Sequence, residues 1–433
     1  MVHDYFDLKK AIQNSVTFLD KGRPFPVSPT PLLIPQAEYN NICADARLVL
    51  TALEKAVRIA SSDDELWKHF PELCGFEDFV RLRSSTSRLI DLARFDLAIL
   101  KGGGVKMMEA NAGCPGALTT VGDINNAFAT SAFFEKNIAG RDVALTIDKK
   151  FYFVDYLASL VAADDTVSMA FISSRHRQIV TDLDRLTELA RERGYQAVRC
   201  DVQDLAYDGK HLTHLGMPIT VAYLKFDAVV TEIGEMDLGI YGPDDHSSQP
   251  FIRAVYGHAF KHVNSFASQL LAENKRMLAL LHMERVQKQL LGEEVEAIKR
   301  LVAKTYSLSP AGLQQFGGPE RLRREKNLWV LKQVIESRGR GVYIGRHTSH
   351  EDWNTLVDSP TIDRFVVQEV IDLDLQQVSN PIFDEPGQFR AYTDMGLYML
   401  GGEPIGFLCR ASRLPVVNVA KNGALRPTFV TRE

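Results

Sequence analysis

Residues 94–118 read RFDLAILKGGGVKMMEANAGCPGAL. Two apolar runs flank three consecutive glycines, with Asp96 on one side and Glu109 on the other. Glycine takes positive φ at little cost, so the pattern predicts a β-hairpin turning at Gly102-Gly103. A two-residue loop there sets Asp96 opposite Glu109 and Arg94 opposite Asn111. Side chains alternate across a strand, so all four then share one face. Like charges directly opposed on a sheet repel one another. The hairpin alone leaves two readings open. It is a surface hairpin whose acids are solvated and partly neutralised by Arg94, or a cluster of oxygen donors suited to a hard divalent cation such as Mg²⁺. A one-residue slip among the glycines would send one acid to the other face.

The remainder of the 433 residues sets bounds on both readings. The chain is too long for one ordinary core, so two or three lobes are expected. With 45% hydrophobic, 24% charged and 9% aromatic residues, it has the composition of a soluble globular protein. A formal net charge of −5 argues against broad nucleic-acid binding. No apolar run has the length of a membrane span, and MVHDYFDLKK lacks a signal-peptide core. The five cysteines, Cys43, Cys74, Cys114, Cys200 and Cys409, are scattered and form no CxxC pair, which fits a reducing cytoplasm.

Organisation follows from periodicity. Residues 1–93 read as an N-terminal helical region, with apolar spacing of three and four in NNICADARLVLTALEKAVRIA and again in FEDFVRLRSSTSRLIDLA. Residues 94–148 hold the hairpin and a helix at DINNAFATSAFFEKN. Residues 149–265 alternate strand and helix: VSMAFIS, TDLDRLTELARERG, YQAVRCDV, a hairpin turning at Asp208-Gly209, then TVAYLKFDAVV. That order predicts a small parallel α/β domain, and the absence of GxGxxG leaves it without a dinucleotide assignment. Residues 266–433 open with a long helical stretch at ENKRMLALLHMERVQKQL and continue as a strand-rich block. In that block FRAYTDMGLYMLGGEPIGFLCRASRLPVVNVA is expected to give three strands, two of them joined by a tight turn at GGEP.

Two cationic features stand out late in the chain. WVLKQVIESRGRGVYIGR places Lys332 on a strand, then a loop with Arg338, Gly339, Arg340 and Gly341, then a returning strand. A glycine-containing loop can offer backbone N–H groups to phosphate oxygens, with nearby cations adding complementarity. Lys275 opens the helix after Glu273 and Asn274. Taken singly, each is also what an exposed hairpin or helix end looks like.

Together, these pieces resemble the ATP-grasp ligases, and in particular their circularly permuted branch, which includes the synthetase domain of glutathionylspermidine synthase. The resemblance runs from about Arg94 to Thr428. Glu109-Ala110-Asn111 stands before Lys332 in this chain, the reverse of the usual family order. The resemblance implies an α/β ATP-grasp fold with a small pre-ATP-grasp domain. It also implies that Asp96, Glu109 and Asn111 hold Mg²⁺, and that Arg94 lies beside the transferred phosphate. Lys275 and Lys332 would contact ATP phosphates under a lid formed by RGRGVYIG. Gln368, Glu369 and Val370 would line the adenine pocket, and Arg410 would face the reacting carboxylate. Asn418 and Gly423 match the family's closing phrase. Lys225, in AYLKF, stands where related chains carry paired arginines after a tyrosine. No amidase-like region precedes the ligase part.

The implied activity is ATP-dependent ligation. A carboxylate of an amino acid or small peptide is activated as an acyl phosphate and attacked by an amine, with ADP and phosphate released. Transfer to an acyl-carrier thiol, a kinase-like phosphotransferase and a non-catalytic nucleotide-binding protein are the alternatives. His258 and His262 have the spacing of a helical metal pair but no HExxH acid and no third ligand. His347 and His350 read as surface residues, Cys114 as a small packed residue, and residues 244–250 as a loop.

Overall fold

The glycine hairpin forms one edge of the sheet that organises the molecule. The computed structural model describes residues 7–12, 19–20, 23–24, 26–138, 140–145, 150–176, 182–226, 228–231, 234–240, 246–336, 340–381, 387–417 and 423–432. Strands Leu92–Ile99 and Val105–Asn111 pair antiparallel. Leu92–Ile99 then pairs with Gln388–Leu400, which pairs with Glu403–Ser412, which pairs with Ala424–Arg426. Leu375–Ser379 joins the first residues of Gln388–Leu400 and completes a six-stranded antiparallel sheet. An early hairpin is thus hydrogen-bonded to strands from the end of the chain.

The expected register holds at the acids, but a different turn produces it. Arg94 pairs with Asn111 and Asp96 with Glu109, whereas Leu97 pairs with Met107. Leu100 N donates to Gly104 O at 3.0 Å, so the loop contains Lys101, Gly102 and Gly103, not two residues. A β-bulge at Met108 then absorbs the extra residue and brings the acids back into opposition. The three glycines have φ of 98°, 102° and 81°, which explains the run GGG.

A second antiparallel sheet has the order Thr305–Ser307, Phe365–Glu369, Trp329–Gln333, Val342–Ile344. Alternation sends Leu331 and Val367 into an aromatic core with Phe316, Trp329, Trp353 and Phe365. Lys332 and Gln368 line the cleft on the other side. The region after residue 149 contains the expected parallel sheet, ordered Lys261–Val263, Val221–Leu224, Ser168–Ser173, Gln196–Asp201. Helix Leu183–Glu192 connects two of its strands. Helix Gln36–Ser62 buries a stripe of Ile42, Ala46, Val49, Leu50, Leu53, Val57 and Ala60 in the main core. Each of the larger of these side chains contributes about 1.5–3 kcal/mol on burial.

Several expected elements are shorter. The helix expected through residues 76–93 stops at Arg81. Beyond it, Ser84 Oγ accepts from Thr86 N and Thr86 Oγ1 from Arg88 N, local bonds that compete with helix. The long helix expected from Glu273 is broken into Arg276–Leu281, Glu284–Gln287 and Gly292–Leu301. DINNAFATSAFFEKN is split between Thr120–Ala129 and Ala132–Ile138. GGEP is the tight turn expected; of the stretch left for the third strand, residues 413–417 form none and 418–420 lie outside the described residues, and a strand follows at Ala424–Arg426. His262 sits in strand Lys261–Val263, so His258 and His262 are not a helical pair. Among the described residues, no helix is long and apolar enough to cross a membrane.

Candidate active site

The bulge that restores the hairpin register also joins the two antiparallel sheets. Met108, left without a cross-strand partner, presents its carbonyl to Lys332 Nζ and Gln368 Nε2, each at 3.2 Å. A cleft of about 380 Å³ opens between the sheets at this junction. One wall carries the charged residues of the hairpin. The other is apolar, with Val330, Val342, Ile344, Val370, Ile371 and Leu373, a surface suited to a flat ring.

At one end of the cleft two arginines converge on two aspartates. Arg94 Nε lies 2.7 Å from Asp96 Oδ1, and Arg410 Nη2 lies 2.9 Å from Asp96 Oδ2. Arg410 also grips Asp394, Nε to Oδ1 at 2.9 Å and Nη2 to Oδ2 at 2.8 Å. Burial opposes ionisation of Asp96, but Arg410 and Arg94 outweigh it and hold its carboxyl well below the usual range. Asp394 has one arginine and an ionised neighbour. Burial pushes its carboxyl up to about 6, with Asp96 adding to the shift and Arg410 resisting it. Gly396, paired with Asp96, makes room for this cluster, since a Cβ there would lie 2.8 Å from Arg94 Cδ.

The lysines approach from the opposite side. Lys275 Nζ is 2.7 Å from Glu109 Oε1 and donates to Glu336 O at 3.0 Å. Lys332 Nζ donates to Gln368 Oε1 at 2.6 Å, and Gln368 Nε2 donates to Thr305 Oγ1 at 2.9 Å. Burial lowers the Lys332 ammonium to about 8; Glu109 opposes this and Lys275 adds to it. Both lysines are buried side chains, with little freedom to lose on meeting an anionic ligand.

The segment after Asn111 is held by residues that pattern reading passed over. Asn264 Oδ1 accepts from Asp91 N and Leu92 N, and its Nδ2 donates to Leu92 O and Ala112 O. Both ends of the hairpin are therefore tied to one buried side chain. Glu273 Oε2 accepts from Ala112 N at 2.6 Å and Gly113 N at 2.7 Å, and Ser268 Oγ donates to Ala112 O. Burial pushes the Glu273 carboxyl up to about 7 despite the Gly113 N–H, with Glu109 adding to the shift. Lys225 Nζ donates to Cys114 O at 2.9 Å, which gives this lysine a place in the loop.

Eleven of the residues expected at the site line this cleft: Arg94, Asp96, Glu109, Asn111, Lys275, Lys332, Arg340, Gln368, Glu369, Val370 and Arg410. Cys114 and Lys225 line it as well. Gly341 adjoins the returning strand with φ of 63°. Arg338, Gly339 and Asn418 lie outside the described residues. Gly423 immediately precedes strand Ala424–Arg426. His347 and His350 are exposed. Asp394, Glu273 and Glu336 also line the cleft without having been singled out. Only Glu273, two positions before Lys275, and Glu336, four after Lys332, had a neighbour in sequence to mark them.

The donors suit Mg²⁺ in kind. Asn111 turns its Nδ2 to Arg94 O, and its Oδ1 accepts from none of the described residues. Glu109 keeps one oxygen beyond its Lys275 contact. Both oxygens of Asp96 already face guanidinium groups. Among the described residues, no three His, Cys, Asp or Glu side chains are gathered as a ready metal cage. Mg²⁺ commonly takes one or two carboxylates, substrate phosphates and water, so Glu109 and Asn111 fit that requirement.

The whole-chain architecture has a structural counterpart. The chain shares its fold with a glutathione synthetase-like protein. That protein is an effector (GSS30) from Globodera pallida, solved in its apoform, with a TM-score of 0.65 and 12% identity over 99% of this chain and 96% of that one. D-alanyl-alanine synthetase A from Vibrio cholerae has a TM-score of 0.28 and 8% identity, covering 53% of this chain and 67% of that one. A RimK domain ATP-grasp protein from Sphaerobacter thermophilus has 0.27 and 11%, covering 58% and 91%. The latter two likenesses are too distant to carry an argument. No protein-family model and no curated protein matches the sequence.

Proposed function

We propose that this chain is an ATP-grasp ligase of the circularly permuted branch. In this reading it activates the carboxylate of an amino acid or small peptide and joins it to an amine. One observation carries the reading: oxygen donors from residues 109–111 and lysines at 275 and 332 meet in a single cleft with an apolar wall. The pairing of Leu92–Ile99 with Gln388–Leu400 is the connection that a permuted order requires. The fold shared with a glutathione synthetase-like effector is a further support.

In this account the apolar wall receives the adenine, while Lys332 and Lys275 neutralise phosphate oxygens. Glu109 and Asn111 would hold Mg²⁺, which supplies charge neutralisation across the phosphates. Asp96, already committed to Arg94 and Arg410, acts by orienting those guanidinium groups. Arg94 and Arg410 stabilise negative charge on the transferring phosphoryl group and on the tetrahedral intermediate. The amine adds to the acyl carbon, forming the carbon–nitrogen bond and the tetrahedral intermediate; collapse of that intermediate breaks the carbon–oxygen bond to phosphate, and the amine's proton passes to solvent. Positioning and electrostatics provide most of the catalysis.

The test is ADP release and hydroxamate formation with Mg-ATP and hydroxylamine, across amino acids and dipeptides including γ-glutamyl dipeptides. Hydroxamate from a particular acid supports acyl-phosphate chemistry and names the donor. ADP without hydroxamate contradicts it and favours a phosphotransferase or an idle ATPase. Amines and a carrier thiol, supplied in turn, identify the acceptor.

A further inference from the structure

Glu273 lines the cleft yet has no task in the chemistry proposed above. Its carboxylate is fixed from one side only. Oε2 takes two backbone N–H groups, from Ala112 and Gly113, while Oε1 is engaged by none of the described residues. Glu273 also forms no ion pair among the described residues: the nearby Lys275 ammonium is committed to Glu109. Gly113 permits the close approach, since a Cβ at that position would meet Glu273 Oε2 at 3.3 Å. The result is a carboxylate held rigidly by the segment after Asn111, with one oxygen left for the cleft.

We propose that Glu273 forms a subsite for a substrate ammonium group. The inference rests on the ligase reading. A carboxylate accepts charge-assisted bonds from N⁺–H donors, and an orientation fixed in advance lowers the cost of forming one. With Oε2 occupied by two N–H groups, the single remaining oxygen is placed to accept one N⁺–H donor. Two substrates in a ligation carry such a group: an amino-acid donor, through its α-ammonium, and the amine acceptor before it loses its proton.

Glu273→Gln separates charge from scaffolding, because glutamine keeps an oxygen for the Ala112 and Gly113 N–H groups. Two ratios are measured with the donor acid that gives most hydroxamate. One compares kcat/KM for that donor with its analogue lacking the amino group. The other compares amide formation from glycine or spermidine with hydroxamate formation from hydroxylamine, which is uncharged at neutral pH. In E273Q one ratio falls roughly ten- to hundred-fold, the loss expected for a hydrogen bond to a charged group. A fall in the first places the donor's ammonium at Glu273, and a fall in the second places the acceptor's. Both ratios equal to the wild type's overturn the inference, even if stability or the Mg²⁺ requirement changes. A wild-type protein that forms no hydroxamate with any acid overturns the ligase reading itself, a result seen without the variant.

Discussion

Arg410 and Asp394 face each other across neighbouring strands and form a two-point ion pair, at 2.9 and 2.8 Å. The same guanidinium reaches Asp96 at 2.9 Å, so Asp394 and Asp96 together fix the direction in which Arg410 points. Removing one partner of a buried pair leaves an uncompensated charge, a loss of about 3–5 kcal/mol. Asp394→Ala is therefore expected to lower the unfolding free energy by that order. Asp394→Asn, which keeps the shape, is expected to fold and to lose at least about ten-fold in turnover. Unfolding curves and ADP release check the two outcomes.

Lys275 and Arg276 are adjacent and predict opposite phenotypes. Lys275 lines the cleft, whereas Arg276 is fully buried against Glu72, at 3.1 Å, and Ser307 Oγ, at 2.9 Å. Lys275→Ala is expected to reduce turnover about 100-fold or more while leaving unfolding little changed. Glu72→Ala strands Arg276 and is expected to destabilise the fold by about 3–5 kcal/mol. Comparing kcat with the denaturation midpoint of each variant distinguishes a ligand contact from a structural one.

Lys332→Ala and Glu109→Ala are each expected to lower turnover about 100-fold with folding intact, the scale of losing one donor to a developing anion. Near-wild-type turnover in both would reject the roles given to them. Steady-state ADP release with circular dichroism as the folding control is the measurement.

His262 gives stability a defined pH dependence. Burial lowers its imidazole to about 4, against the Asn264 carbonyl, which raises it, while His258 and Lys261 lower it further. The unfolded chain takes up this proton near pH 6.5, so the unfolded state binds more protons between those values. The contribution of His262 is complete above pH 6.5 and lost as pH falls to about 4. The stability advantage of the wild type over His262→Gln is expected to shrink across that window by roughly 3 kcal/mol. Urea titrations at pH 7 and pH 4 give the difference.

Gly345 tests the returning strand. A Cβ there would lie 1.9 Å from the Lys326 carbonyl oxygen, a contact that only backbone movement relieves. Gly345→Ala is expected to cost at least about 2 kcal/mol and to weaken nucleotide binding, because Val342 and Ile344 form part of the apolar wall. Thermal unfolding with and without nucleotide measures both.

The sequence made legible the parts whose determinants are local. Alternation and glycine spacing placed Asp96 opposite Glu109, and a strand with a glycine loop marked Lys332. The route to that register was not legible, because an extra loop residue and the Met108 bulge cancel each other. Asp394 and Asn264 were missed because their partners lie 16 to more than 170 residues away, on strands whose pairing no local pattern specifies. The helix ends at Arg81 were misjudged for a different reason: Ser84 and Thr86 satisfy nearby backbone groups that apolar periodicity alone assigned to a helix.

A crystal structure with Mg²⁺ and a non-hydrolysable ATP analogue tests the central claim most directly. The account predicts the base against Val342, Ile344 and Val370, the phosphates within contact of Lys275 and Lys332, and the metal on Glu109 and Asn111. Nucleotide bound outside the cleft, or phosphates remote from both lysines with Glu109 turned away from the metal, would contradict it.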